Sequence, residues 1–362
     1  MKKEETNGGA QLPEPASLHS LYTGYIKKKI LFLVVACLLL FILVVVATCT
    51  GSIAIPFNEV ISSIFLFDRT GQGRIIWDVR MPRVMAALLV GAGLSLSGTV
   101  MQSVLRNSLA SPYTLGLSSA SAFGASFAIV FFGAGTSTTS TIIVSDSFTV
   151  AMSAFFFSAL STSMILLLTV LTKISPESMV LAGIAIGSIF SAGLTLMQYL
   201  ADSVQLASIV SWTFGDLGRA NWRALSLIAL VLVPLSVLCS SYRWDFNAMD
   251  TGEESARGLG VRTGVVQIVG MVSASVLSAV IVSFFGTIAF IGLLGPHIAR
   301  KLLGGDHRFL LVASPLIGAF LLLAADTVAR TILAPMVLPV GILTSLLGGP
   351  LFISLLLAGR TR

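Results

Sequence analysis

Gly264-Val-Val-Gln-Ile-Val-Gly-Met-Val-Ser-Ala-Ser-Val-Leu-Ser-Ala-Val-Ile-Val-Ser-Phe-Phe-Gly286-Thr-Ile-Ala-Phe-Ile-Gly-Leu-Leu-Gly-Pro-His-Ile-Ala-Arg-Lys-Leu-Leu303 decides how this chain folds. No Asp, Glu, Lys or Arg interrupts it before Arg300. Spanning the hydrocarbon core takes about 20 helical residues, so the stretch is too long for one crossing. Gly286 offers the turn, and the expectation is two spans, 264–284 and 286–303. The same rule applied outward gives 30–47, 84–105, 115–133, 148–171, 179–200, 224–241, 309–334 and 338–358. The fold class is therefore an all-α integral membrane protein, a bundle of ten transmembrane helices. Ten helices also permit two inverted five-helix halves, a common transporter plan.

Composition agrees. Of 362 residues, 55% are hydrophobic and 10% charged, against about 25% charged in soluble domains. The net charge of +6 forms no basic stripe interleaved with aromatics, so it does not indicate nucleic acid. Instead Lys and Arg sit between the apolar runs. Fifteen fall on the side of the termini and six on the other (Arg69, Arg74, Arg80, Arg83, Arg219, Arg223), with Arg330 near a helix end. By the positive-inside rule both termini are cytoplasmic and the chain is a multi-pass protein of the cytoplasmic (inner) membrane. Residues 1–29 read as a disordered cytoplasmic tail, 30–358 as the transmembrane domain and 359–362 as a second cytoplasmic tail. Lys27-Lys28-Lys29 before an apolar run also resembles a signal peptide, but the leader is long and contains acids, which favours a first membrane anchor. Outside loops at 49–80 and 201–223 are longer than a bundle needs. The first contains a mildly apolar piece at 53–67 suited to an interfacial helix; the second contains Trp212 and Trp222, placed as interface anchors. The main cytoplasmic loop is 242–263.

Several chemistries are excluded. There is no GxxxxGK[ST] phosphate loop, no HExxH and no GxSxG, so no catalytic residues, cofactor or metal site are expected. The histidines, His19, His297 and His307, are far apart, and Cys37, Cys49 and Cys239 have no metal or disulfide spacing. Charges inside spans are costly and are functional or paired. Asp326 and Arg330, spaced i, i+4, share a helix face and can pair, as structure or as site. Arg80-Met-Pro-Arg83 opens the second span with Pro82 in a first-turn position; these arginines either snorkel to lipid phosphate or receive carboxylates from a partner. Gly252 and Gly260 bracket a short charged helix suited to being gripped by a motor, namely Gly252, Glu253, Glu254, Ser255, Ala256, Arg257, Gly258, Leu259 and Gly260. Gly183-xxx-Gly187 is a close-packing signal of low specificity. Gly292-Leu-Leu-Gly295-Pro296-His297 interrupts the eighth span, as in helices that line transport sites.

Taken in order, these segments resemble the iron-siderophore, haem and cobalamin permease family of ABC importers, from about residue 50 to residue 358. The carriers are Arg80-Met-Pro-Arg83, Leu105-Arg-Asn-Ser-Leu-Ala-Ser-Pro112, Gly252–Gly260, Gly286–Arg300, Gly305-Asp-His-Arg308, Ala325-Asp-Thr-Val-Ala-Arg330 and Leu338-Pro-Val-Gly341. Ser108 and Gly295 are small departures. The resemblance implies a type II ABC importer: a homodimer, or a pair with a close paralogue, above two ATPase subunits that bind ATP and Mg, with one extracytoplasmic binding protein on the other side. It implies docking of that binding protein on Arg80, Arg83 and Arg330, with Asp326 orienting Arg330, and ATPase coupling through the 252–260 helix. The expected translocation path, of small polar and apolar residues, includes Ser118, Ser119, Ser121, Gly183, Gly187, Ser188 and Ser191. Such a lining suits a large, already chelated cargo, an iron(III)-siderophore first and cobalamin, haem or molybdate as alternatives. The competing class is a secondary transporter driven by an ion gradient, for which Asp326 is the only good mid-membrane candidate.

Overall fold

The computed structural model describes residues 15–51, 55–65, 71–133, 135–138, 141–144, 147–172 and 176–359. The chain runs α1 (Pro15–Cys49), α2 (Phe57–Phe65), α3 (Gly71–Ile75), a π-helical turn (Ile76–Arg80), α4 (Met81–Val104) and α5 (Leu117–Phe131). A hairpin of β1 (Gly135–Thr138) and β2 (Thr141–Val144) follows, then α6 (Ser147–Thr172), α7 (Pro176–Leu200), α8 (Ser203–Thr213), α9 (Trp222–Ser241), α10 (Arg243–Asp250) and α11 (Glu253–Gly258). The chain closes with α12 (Thr263–Phe285), α13 (Ile291–Leu303), α14 (His307–Thr331) and α15 (Val340–Gly359). Seven of these helices are long and apolar enough to cross a membrane; α5 and α15 are shorter apolar helices, and α13 completes the expected ten. The packing repeats between the two sets of five. α5 lies on α6 as α13 lies on α14; α4 meets α14 and α13 as α12 meets α6 and α5.

The core is the crossing of α4 with α14, the most extensive contact in the bundle. Lipid offers no hydrophobic drive for helices to associate, so close backbone approach and hydrogen bonds must supply it. Gly91 and Gly318 face each other with no room for a Cβ on either, and Gly98 lies against the backbone of Gly292 on α13. One turn on, the Ser95 hydroxyl donates to the Ser314 carbonyl at 2.7 Å and Thr99 donates to the Ser314 hydroxyl at 2.7 Å.

Four expectations need correction. Residues 15–29 are not a disordered tail but the first turns of α1. Pro15 suits a helix start and no later proline interrupts; beyond the membrane the helix is held by Tyr22, whose hydroxyl accepts from Arg308 at 3.2 Å, and by Lys29, seated between the rings of Tyr25 and Phe309. Residues 1–14 and 360–362 lie outside the described residues. The eighth span begins at Ile291, not 286: Gly286 takes φ +76°, and 286–290 is irregular backbone. That break is met by protein rather than lipid, with Asp216 N donating to Phe285 O at 3.0 Å and the Thr287 hydroxyl donating to Thr213 O. The 201–223 loop contains α8, started by a capping box between Asp202 and Gln205. Trp212, on α8, is buried in the core and anchors no interface; Trp222 is half-exposed and donates to Trp77 O. Within the piece at 53–67, Phe57–Phe65 form a helix, α2, and residues 53, 54, 66 and 67 lie outside the described residues.

Gly318→Val therefore forces α4 and α14 apart. Overpacking of this kind costs about 1–3 kcal/mol or more, and the variant should lose melting temperature in detergent. Wild-type melting would contradict the crossing.

Candidate functional site

Sequence-flagged residues gather at the two ends of the α4–α14 pair. At one end the Asp326 carboxylate of α14 is fully buried. Arg83 of α4 donates to its Oδ1 from Nε at 2.9 Å. Arg330, one turn along α14, approaches Oδ2 at 3.0 Å as an ion pair. Arg83 also reaches Asp216 at 3.5 Å, at the margin of an ion pair. The i, i+4 spacing that suggested an Asp326–Arg330 pair is thus realised, but Arg83 is the better-aligned partner and links the two helices.

The remaining guanidinium donors have a use the sequence did not suggest. A helix leaves its last carbonyls without intrahelical partners and carries a partial negative charge there. Arg80 donates to Thr48 O at 2.7 Å and Cys49 O at 2.9 Å; Arg330 donates to Ala47 O at 3.1 Å and Thr50 O at 3.2 Å. Two arginines from other helices therefore cap the end of α1. In consequence Arg80, Arg83 and Arg330 are buried, not exposed to lipid phosphate. Arg74 and Arg223 are the more exposed arginines of this end.

At the other end, Gly252 (φ +112°) and Gly260 (φ +86°) bracket α11 as expected. Positive φ is what only glycine adopts without strain. Ala256 is buried, while Glu254, Ser255, Arg257, Gly258 and Leu259 point outward. Leu259 is 72% exposed, an apolar contact on a charged knob. Glu253 turns inward, pairing with Arg257 at 2.6 Å and with Arg106 at 3.8 Å. Behind the knob, Asp250 ends α10. Burial pushes its carboxyl up, but the hydrogen bond and charge of His307, the Arg300 charge and the Ser103 hydroxyl outweigh burial and hold it below the usual carboxylate range. Asp306 caps α14; burial raises it too, and bonds from Arg308 and Asn247 bring it down to about 2.

The expected path residues divide. Ser188 and Ser191 lie on the exposed face of α7, and Ser191 donates to Ser119 at 3.1 Å. Ser118 and Ser121 are buried in the bundle, and Gly183 and Gly187 pack on the backbone of Leu115 and Gly116. These four are packing residues, because α5 needs small side chains to lie against α6 and α7. An open cleft of about 530 Å³ lies instead where the broken backbone at 286–290 meets α15, with Tyr113, Thr213, Thr287 and Ser345 in its wall. Among the described residues no three metal-ligating side chains cluster.

A model of the FecCD transport family matches residues 38–358. The chain belongs to that family. A Methanocaldococcus jannaschii protein that carries the name of an ABC transporter permease is 46% identical over 93% of this chain and 97% of its own length. A Fe(3+)-citrate import system permease of Bacillus subtilis is 34% identical over 91% of this chain and 96% of its own. A solved structure described as an inward-facing metal-chelate type ABC transporter superposes with a TM-score of 0.77 at 32% identity, covering 90% of this chain and 99% of that one. Other relatives are named for hemin, vitamin B12 and molybdate. This FecCD permease is thus a membrane-embedded permease subunit of an ABC transporter. It is a transporter subunit and not an enzyme, and its ATPase is a separate chain.

Removing one partner of a buried ion pair leaves an uncompensated charge and costs about 3–5 kcal/mol. Asp326→Ala should therefore lower the detergent melting temperature sharply and loosen α1. A variant that melts with the wild type would show that the three arginines do not depend on the carboxylate.

Proposed function

We propose that the chain carries an iron(III)-siderophore-type chelate across the cytoplasmic membrane by ATP-driven alternating access, as one half of a homodimer with two ATPase subunits and an extracytoplasmic binding protein. The observation that carries the ATP-driven part is α11, a six-residue charged helix followed directly by the exposed Leu259 and bounded by two glycines of positive φ. The excess of Lys and Arg on its side of the bundle supports placing it, and both termini, in the cytoplasm. An already chelated cargo is favoured because the open cleft presents hydroxyls and rings rather than carboxylates or imidazoles, and an iron chelate is preferred among such cargoes because iron chelates recur in the relatives' names. Such a wall suits a cargo whose metal is already ligated. The path runs along this cleft and the exposed face of α7.

Docking of the binding protein belongs to the arginine end. Arg80 and Arg330 hold carbonyls of α1 in the free subunit, and incoming carboxylates are the stronger acceptors for a guanidinium. Docking through them exchanges one set of acceptors for the other and acts on α1 at the same time.

The ion-gradient alternative needs a titratable group free to load and unload at mid-membrane. Asp326, its candidate, is held between Arg83 and Arg330, which disfavours it.

Two experiments test the proposal. Capture of the detergent-solubilised chain from its native cells should bring down an ATPase and a binding protein that carries a ferric chelate. Recovery of the chain alone would contradict the assembly, and a binding protein loaded with cobalamin, haem or molybdate would contradict the cargo. Exchanging charges, Glu253→Arg with Arg257→Glu, keeps the pair within α11 but sets an arginine against Arg106 and reverses the exposed charge at 257. Uptake driven by ATP should be lost; intact uptake would remove α11 from the coupling role.

A further inference from the structure

The coupling helix is too short to transmit force by itself. Only Thr251 and Gly252 separate it from Asp250, the last residue of α10, and Asp250 is bonded to three other helices. Its Oδ1 accepts from the Ser103 hydroxyl, in the last turn of α4, at 2.9 Å. Its Oδ2 lies 3.1 Å from His307 Nε2 on α14 and 3.3 Å from Arg300 Nη1 on α13. One turn earlier on α10, Asn247 Oδ1 accepts from His307 N at 2.8 Å, and its amide donates to Asp306 at 3.2 Å. Phe246 is buried against the His307 ring, with centroids 5.6 Å apart. His307 is itself fully buried, the only histidine so placed among the described residues.

The two helices that Asp250 grips through Ser103 and His307 are α4 and α14. These are the same two that Arg83 and Asp326 join at the far end of the bundle. The pair is therefore fastened at both ends, and α10 is fastened to it. We propose that Asp250 and His307 are positioning residues that form a latch, making α10, and with it the coupling helix, one rigid body with α4 and α14 during the ATP cycle. Neither residue stood out in the sequence: Asp250 sits in the loop 242–263 and His307 in the Gly305–Arg308 motif, and only the fold brings them together. The inference rests on the importer reading of α11 given above.

The test uses the whole assembly purified through the chain with its own ATPase, in lipid nanodiscs. Cys37, Cys49 and Cys239 are replaced by Ala, and spin labels are placed at the exposed positions Arg243→Cys on α10 and Val312→Cys on α14. The latch predicts that the distance between the labels is the same without nucleotide and in the ATP-trapped state, in which vanadate holds ADP on the ATPase after hydrolysis. In Asp250→Ala and in His307→Leu the nucleotide-free distance should stay near wild type and the ATP-trapped distance should shift and broaden. His307→Gln, which retains a donor, should restore the narrow distribution. A purely structural role would instead shift both states alike, and that result overturns the latch, as does a wild-type distance that changes on ATP trapping. If the Asp250 variant does not fold, His307→Leu decides, because it removes the ring's bond to Asp250 from the α14 side, and an ATP-trapped distance identical to wild type in it overturns the proposal. An assembly without ATPase, or without ATP hydrolysis, overturns the importer reading; intact hydrolysis with a moving wild-type distance overturns the latch alone.

Discussion

The buried contact between Arg83 on α4 and Asp326 on α14 is the constraint around which this bundle is arranged. A carboxylate inside a membrane protein is tolerated only when paired, and here its two partners have further obligations. Arg83 joins the two most closely packed helices. Arg330, oriented by Asp326, completes with Arg80 the cap on the end of α1. Below this point α4 and α14 stay close because Gly91, Gly318, Ser95, Thr99 and Ser314 let their backbones approach and bond. One acid thereby fixes the first helix, the central crossing and the face on which an extracytoplasmic partner is proposed to dock.

The same two helices carry the other functional end. Asp250 and Asn247 tie α10 to α4, α13 and α14, and α11 projects beyond them. Rigid-body rocking of a subunit requires that the gripped knob be mechanically continuous with the helices that line the path. Nucleotide and partner binding must also favour different members of the conformational pair, or no pumping results. A core clamped at both ends, with α7 and α15 presenting open faces, provides the stiff part and leaves the moving surfaces outside it.

Much of this was legible in the sequence because the bilayer enforces it. Span length and the turn at Gly286 gave ten helices, the i, i+4 spacing gave Asp326 with Arg330, and the two glycines gave the limits of α11. What escaped was tertiary. Nothing local to Arg80 says that its acceptors are carbonyls more than thirty residues earlier. Ser118 and Ser121 read as path residues because small polar side chains serve equally for close packing. Trp212 reads as an interface residue because nothing next to it in sequence shows that it sits on a helix, α8, turned toward the core, although the Asp202-x-x-Gln205 cap is a usable signal of that helix. Residues 15–29 read as a tail because their contacts, Tyr22 with Arg308 and Lys29 with Phe309, are to the other end of the chain.

The central claim is that ATP hydrolysed by a separate subunit, and not an ion gradient, moves the cargo through this chain. It is tested most directly by reconstituting the chain with its captured ATPase and binding protein in liposomes and following uptake of the cargo found on that binding protein. The account predicts uptake that stops when ATP is withheld and is unchanged when a protonophore and ionophores collapse the gradients. Uptake that survives without ATP and disappears with the gradient would contradict it.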